Sequence, residues 1–261
     1  MARAIVVTSG KGGVGKTTIT ANLGRMLGIL GRRVLLIDTD MGLNNLDVAL
    51  NIEKKVVFDI VDVLAGRCRL KQAIVEDVVP GVYVLPSAHT YDDSNISAAA
   101  LRGLIDTLAG FDFCLLDCPA GIEVGFHRAV TAADEALVVT TPHVSALKDA
   151  DKVVAILKTY KIKPLLVLNR VRGDLVLSAD MVAPADVKGL ISAPLAGVVP
   201  DDDAVGIYGN TGKALPKSND GYKATMILAK NILYGSEIIY DATKKYRGFF
   251  GRLKRAAKRS G

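Results

Sequence analysis

The sequence predicts an α/β domain with a doubly wound, mostly parallel sheet and helices on both faces. Three observations point there. Apolar runs of strand length recur at 3–8, 33–38, 82–86, 112–117, 135–140, 164–169 and 195–199. Between them lie longer amphipathic stretches, at about 16–30, 58–65, 97–109, 123–133, 145–160 and 220–234. Runs such as Val34-Leu35-Leu36-Ile37 and Pro164-Leu165-Leu166-Val167-Leu168 are apolar without alternation, as strands covered on both faces must be. At 261 residues the chain is long enough for one large domain with a well-buried core. Ligands of such a fold bind at the carboxyl ends of the strands, so the residues leaving each strand carry the functional information.

The first strand, Ala4-Ile5-Val6-Val7, runs into Ser9-Gly10-Lys11-Gly12-Gly13-Val14-Gly15-Lys16-Thr17-Thr18, which opens a helical pattern. This contains G-x-x-x-x-G-K-T, with Gly10, Gly15, Lys16 and Thr17 in the fixed positions. A polyphosphate needs backbone N–H groups aimed inward from a tight curve, which glycines supply without side-chain collision. The following helix adds the positive end of its dipole. Lys16 is expected on the β- and γ-phosphates, and the Thr17 hydroxyl on Mg²⁺. Lys11 is a second lysine inside the loop.

The second strand ends Ile37-Asp38-Thr39-Asp40, which brings two carboxylates beside the phosphate loop. A carboxylate near a γ-phosphate can orient the attacking water. The strand Phe113-Cys114-Leu115-Leu116-Asp117 closes on an acid, the Walker B pattern, and is followed by Cys118-Pro119-Ala120-Gly121. Asp117 is expected to hold Mg²⁺, and the Gly121 amide to sense the γ-phosphate. Residues 170–193 have the least regular pattern and are expected to form loops with short helices.

The charge is unevenly placed. There are 33 basic and 27 acidic residues, a net of +6. Residues 244–261 hold eight of the basic residues and no acid, so the body is −2 and the tail +8. A basic body for nucleic acid is not what this describes. Tyr246, Phe249, Phe250 and Leu253 recur at helical spacing, with Arg252, Lys254 and other cations mostly on the other face. That pattern predicts an amphipathic helix lying in an anionic membrane interface. The expected organisation is a domain over 1–243 and a membrane-targeting tail over 244–261. No apolar run approaches the 18 or so residues that span a bilayer, and residues 1–8 leave no room for a signal peptide. Cys68 stands alone, and Cys114 and Cys118 suit small buried hydrophobes.

The segments Lys11-Gly12-Gly13-Val14-Gly15-Lys16-Thr17-Thr18, Asp38 to Asp47, and Asp117-Cys118-Pro119-Ala120-Gly121-Ile122-Glu123 together resemble the MinD/ParA class of ATPases, and its MinD branch most. The resemblance covers essentially the whole chain. It implies ATP and Mg²⁺ as cofactors and a homodimer, formed when ATP is bound, that sandwiches the nucleotides. It implies that Lys11 reaches the partner's phosphates, that Asp40 positions water, that Asp38 supports Lys11 and the Mg²⁺ shell, and that Thr18 touches the α-phosphate. Asn169, with Arg170 beside it, matches the base-recognising asparagine. Pro200 and Asp201 match the other wall of the adenine pocket.

The implied partners are a MinC-like division inhibitor, a MinE-like activator and an anionic membrane, with no nucleic acid. The implied location is the cytoplasm and the cytoplasmic face of the cell membrane. A FlhG-like flagellar-number regulator and a ParA-like DNA-partitioning ATPase share the box and stay open as alternatives. The chain departs from the family at Pro142-His143, where Pro-Glu is frequent.

Overall fold

The structure is a computed structural model and describes residues 1–41, 45–88, 96–249 and 251. Its strands are β1 (Arg3–Thr8), β2 (Val34–Asp38), β3 (Val75–Glu76), β4 (Val82–Leu85), β5 (Phe113–Asp117), β6 (Glu135–Thr140), β7 (Pro164–Val171) and β8 (Leu195–Pro200). Among the described residues they form one sheet in the order β3-β4-β2-β5-β1-β6-β7-β8. All neighbours are parallel except the two-residue edge strand β3, which runs antiparallel to β4. The predicted doubly wound sheet is therefore present. β1 lies between β5 and β6, so the chain winds outward first on one side of β1 and later on the other. The crevice where those directions diverge faces the carboxyl end of β1.

The apolar strands separate two cores by alternation of side chains. Ala4 and Val6 face one side, with Leu35, Ile37 and Leu116. That side is covered by α5 (Ala98–Asp106), α6 (Val124–Ala132) and α7 (Val144–Thr159). Ile5 and Val7 face the other, with Leu36, Leu115 and Val139. There α1 (Lys16–Ile29) and α10 (Asp220–Tyr234) supply Leu23, Met26, Leu228 and Ile232.

Helices α2 (Asn45–Leu50), α3 (Ile60–Leu64) and α4 (Leu70–Ala73) precede β3, and α3 is the helix expected over 58–65. Residues 170–193 form the expected loops with short helices: they continue β7 to Val171, then form α8 (Gly173–Leu177) and a 3₁₀ turn at Asp186–Gly189. Helix α9 (Asp203–Asn210) follows β8, with the Asp202 carboxylate accepting the Ala204 N–H as its cap. The sequence pattern does not foresee α2, α4, β3 or α9.

One buried ion pair ties three of these pieces together. Arg25, on α1, forms two 2.8 Å hydrogen bonds to Asp77, just past β3. Its remaining N–H groups donate to the carbonyls of Gly212 (2.7 Å) and Lys213 (3.0 Å), between α9 and α10. Planar guanidinium geometry satisfies four acceptors at once, which makes the pair tolerable without water.

The start of the tail is part of the body. Lys244–Tyr246 forms a 3₁₀ turn against α8, and Lys245 pairs with Asp220 at 3.0 Å. Gly173 allows this seat, because a Cβ there would fall on the Ala242 carbonyl. Tyr246, expected on the lipid-facing side, is instead buried. The Lys245 ammonium lies over its ring, and Gly251 returns so close that a Cβ there would strike the Tyr246 backbone. Phe249 is exposed. Phe250, Arg252, Leu253 and Lys254, and with them the expected amphipathic helix, lie outside the described residues.

Replacing Asp77 with Ala strands a buried guanidinium. The expected loss is about 3–5 kcal/mol of unfolding free energy, read by urea denaturation.

Candidate nucleotide site

The loop between β1 and α1 owes its shape to Gly13 (φ +76°) and Gly15 (φ +94°), which hold the left-handed conformation. Gly15 is also the N-cap of α1 and provides no side-chain cap. The first-turn amides of a 14-residue helix are thus left to an external acceptor, the arrangement that binds phosphate. Lys16 is 9 % exposed and lies within electrostatic reach of Asp40 and Asp117. Lys11 differs: it is exposed, and its carbonyl accepts the Ser9 hydroxyl at 2.9 Å.

Asp38 and Asp117 are register partners at the ends of β2 and β5, and both are buried. Burial pushes the Asp38 carboxyl well above its usual range, and the neighbouring Asp117 adds to the effect. Asp117 is also raised by burial, against the opposing influence of the Thr17 hydroxyl and Lys16. Two buried carboxylates on adjacent strands resist being charged together, so the pair favours a bound cation. Thr17 donates to Asp117 Oδ2 at 2.6 Å, so the serine/threonine and Walker B carboxylate of a Mg²⁺ site are in contact. Among the described residues no cluster of three His, Cys, Asp or Glu side chains could hold a metal alone. A hydroxyl and a carboxylate in contact, with room for waters and phosphate oxygens, are donors of the kind that suits Mg²⁺, which Thr17 and Asp117 would hold.

Two residues with expected roles already make contacts within the chain. The Asp38 oxygens accept the backbone N–H of Asp40 (2.9 Å) and Leu46 (3.1 Å). Within its own chain it braces the segment carrying Asp40 and does not pair with Lys11. Asp40 itself is half-buried, and burial raises its carboxyl while Lys16 opposes the shift. The Gly121 amide, expected to meet the γ-phosphate, donates to the Ser9 carbonyl at 3.0 Å. It is engaged in joining the β5 exit to the phosphate loop.

A cleft of about 410 Å³ lies beside the loop, and Gly15, Thr18, Asn169, Arg170, Pro200 and Asp201 are among its lining residues. Asn169 has a further task that the sequence did not reveal. Its Nδ2 donates to the Val14 carbonyl at 2.8 Å, which fixes the amide and leaves Oδ1 as the acceptor end. Gly15 passes so close that a Cβ there would strike Asn169 Nδ2. Arg170 adopts φ +56° at the point where β7 loses register with β8. Such strain at a non-glycine residue is characteristic of binding sites. Asn22 and Asp202 also line the cleft, and Thr20 reaches Asp117; none of the three has a motif to announce it.

With this geometry in place, known proteins were compared. Residues 2–167 match the family described as an AAA domain. The septum site-determining protein MinD of Bacillus subtilis is 41% identical over 261 residues, covering 97% of each chain. The chain belongs to the MinD family, within the MinD/ParA ATPases. MinD of Synechocystis is 46% identical over 218 residues, 82% of each chain. Among solved structures, MinD in the MinC:MinD complex of Aquifex aeolicus has a TM-score of 0.84 at 36% identity, covering 91% of this chain and 97% of that one. MinD of Pyrococcus horikoshii, complexed with Mg-ADP, has a TM-score of 0.80 at 35% identity, covering 89% and 96%. Nucleotide binding, ATPase character and septum-site determination come with this membership.

A Gly15→Ala substitution is expected to leave the fold intact and to weaken ATP affinity at least about 100-fold. The new Cβ both opposes the left-handed φ and displaces Asn169. Circular dichroism and fluorescent-nucleotide titration separate these two outcomes.

Proposed function

We propose that the chain is a Mg²⁺-dependent ATPase that works as a dimerisation switch in septum placement. The observation that carries this reading is the opposite disposition of the two loop lysines. Lys16 is buried in the phosphate cradle, whereas Lys11 is exposed on its outer rim. Exposed apolar residues stand on the same rim: Val124 (68 %) just past Gly121, and Val144 (59 %) beside His143, which shares a pocket with Lys11. An exposed lysine in the phosphate loop, bordered by exposed apolar side chains, suits a second subunit.

In this reading, Lys16 and the loop amides bind the phosphates, and Asp40 orients water. Asp38 fixes the segment that carries Asp40, and Lys11 of each subunit adds positive charge to the partner's phosphates. Thr17 and Asp117 would hold Mg²⁺, which would supply charge neutralisation to the phosphates. In the base cleft, the fixed Oδ1 of Asn169 accepts from an exocyclic amine, which adenine has and the guanine O6 edge lacks. The MinC:MinD complex of the Aquifex relative supports a MinC-like inhibitor as partner. A MinE-like activator would stimulate hydrolysis.

Membrane attachment is assigned to the basic and aromatic residues after Tyr246. One short tail binds weakly, and pairing two in a dimer raises avidity on the order of 10²- to 10⁴-fold. ATP thereby controls residence on the cytoplasmic face of the membrane.

Sedimentation with anionic vesicles tests the switch. The protein should pellet in ATP and stay soluble in ADP, and deletion of residues 252–261 should abolish pelleting while leaving the buried Tyr246 in place. Pelleting that ignores nucleotide or survives the deletion refutes the proposal. Lys11→Ala should retain ATP binding and lose about 10³-fold in stimulated turnover, the scale of an arginine finger; unchanged turnover would remove Lys11 from the mechanism.

A further inference from the structure

Asp117 is buried, yet both of its oxygens are held by hydroxyls from one helix. Thr17 donates to Oδ2 at 2.6 Å, and Thr20 lies 3.0 Å from Oδ1. The two threonines are three positions apart on α1 and so share a face. Thr20 is completely buried, beneath the site and out of reach of any nucleotide contact through solvent.

The Thr20 hydroxyl has one proton and two neighbouring acceptors, Asp117 Oδ1 and the Lys16 carbonyl at 3.1 Å. Within an α-helix the Lys16 carbonyl already accepts the Thr20 backbone N–H. Asp117 Oδ1 has no other hydrogen-bond donor among the described residues. A carboxylate is also the stronger acceptor, and a buried one left without a donor is costly. The proton therefore belongs on Asp117.

The consequence concerns torsion. The terminal torsion of an aspartate is broad, so a carboxylate held at one oxygen can swing. Held at both, it cannot. The Thr17 hydroxyl must keep its proton on Asp117 in order to turn a lone pair toward a metal. The angle of the carboxylate therefore sets the direction of that lone pair.

We infer that Thr20 is a positioning residue for the Mg²⁺ site, locking the Asp117 carboxylate so that Thr17 presents its oxygen to the ion. This rests on the ATP·Mg²⁺ reading above. It predicts that loss of the Thr20 hydroxyl weakens Mg²⁺ and spares the nucleotide itself.

The test is the affinity of the full chain for a fluorescent ADP, titrated with Mg²⁺ and measured again in EDTA. In Thr20→Val, which keeps the shape and removes the donor, the Mg²⁺ half-saturation point should rise about 10- to 100-fold, the range for lost supporting contacts at metal sites. Affinity in EDTA should stay within about twofold of wild type, because the loop contacts to phosphate are untouched. Thr20→Ser should restore the wild-type Mg²⁺ response. An unchanged half-saturation point overturns the inference, as does an equal loss with and without Mg²⁺, or a serine variant as impaired as the valine. If the valine variant does not fold, Thr20→Ala removes the same donor without adding bulk. Failure of the wild-type protein to bind the nucleotide in any Mg²⁺ concentration would instead defeat the underlying reading.

Discussion

The site depends on two carboxylates brought side by side in a place that water does not reach. Parallel pairing of β2 with β5 aligns Asp38 with Asp117, and burial then raises the cost of charging either. What surrounds them can be understood as compensation for that cost. Backbone amides of Asp40 and Leu46 hold the first, hydroxyls of Thr17 and Thr20 hold the second, and Lys16 lies within range of Asp117. These donors come from the segments that must respond to nucleotide: the phosphate loop, the start of α1 and the stretch after β2. Neutralising the pair and shaping the site are the same structural act.

The parts visible in the sequence were those where one physical requirement fixes residue type at fixed spacing. A phosphate loop needs glycines where φ is positive, and Gly13 and Gly15 have it. Strands buried on both faces need unbroken apolar runs, and β1, β2, β5, β6 and β7 fall where those runs lie. Contacts between residues far apart in sequence carry no such spacing. Nothing near Asn169 announces a bond to Val14, and nothing near Gly121 shows that its amide is taken by Ser9. Tyr246 misled for a similar reason. Helical spacing in the tail groups it with Phe249, but its burial is decided by α8, some seventy positions away, through a contact only the fold creates.

That misplaced tyrosine also bears on how the two ends of the proposed switch are joined. Asn169 bonds the phosphate loop, and two residues on, the Val171 carbonyl accepts the Asp201 amide at the far wall of the base cleft. Gly173 then packs on Ala242, at the root of the tail. A second connection runs from Asp202 in the cleft to Asn219 at 2.8 Å, and from the adjacent Asp220 to Lys245. The chain leaving the body is thus fastened to the strand end and helix cap that form the base pocket. The root of the chain's last segment, through Tyr246, is thereby held to the same body that carries Lys11. For two tails to act together on a flat surface, their roots must be held in register by the dimer. In the proposed switch, the contacts that hold Lys244–Tyr246 to the body would help to meet that requirement.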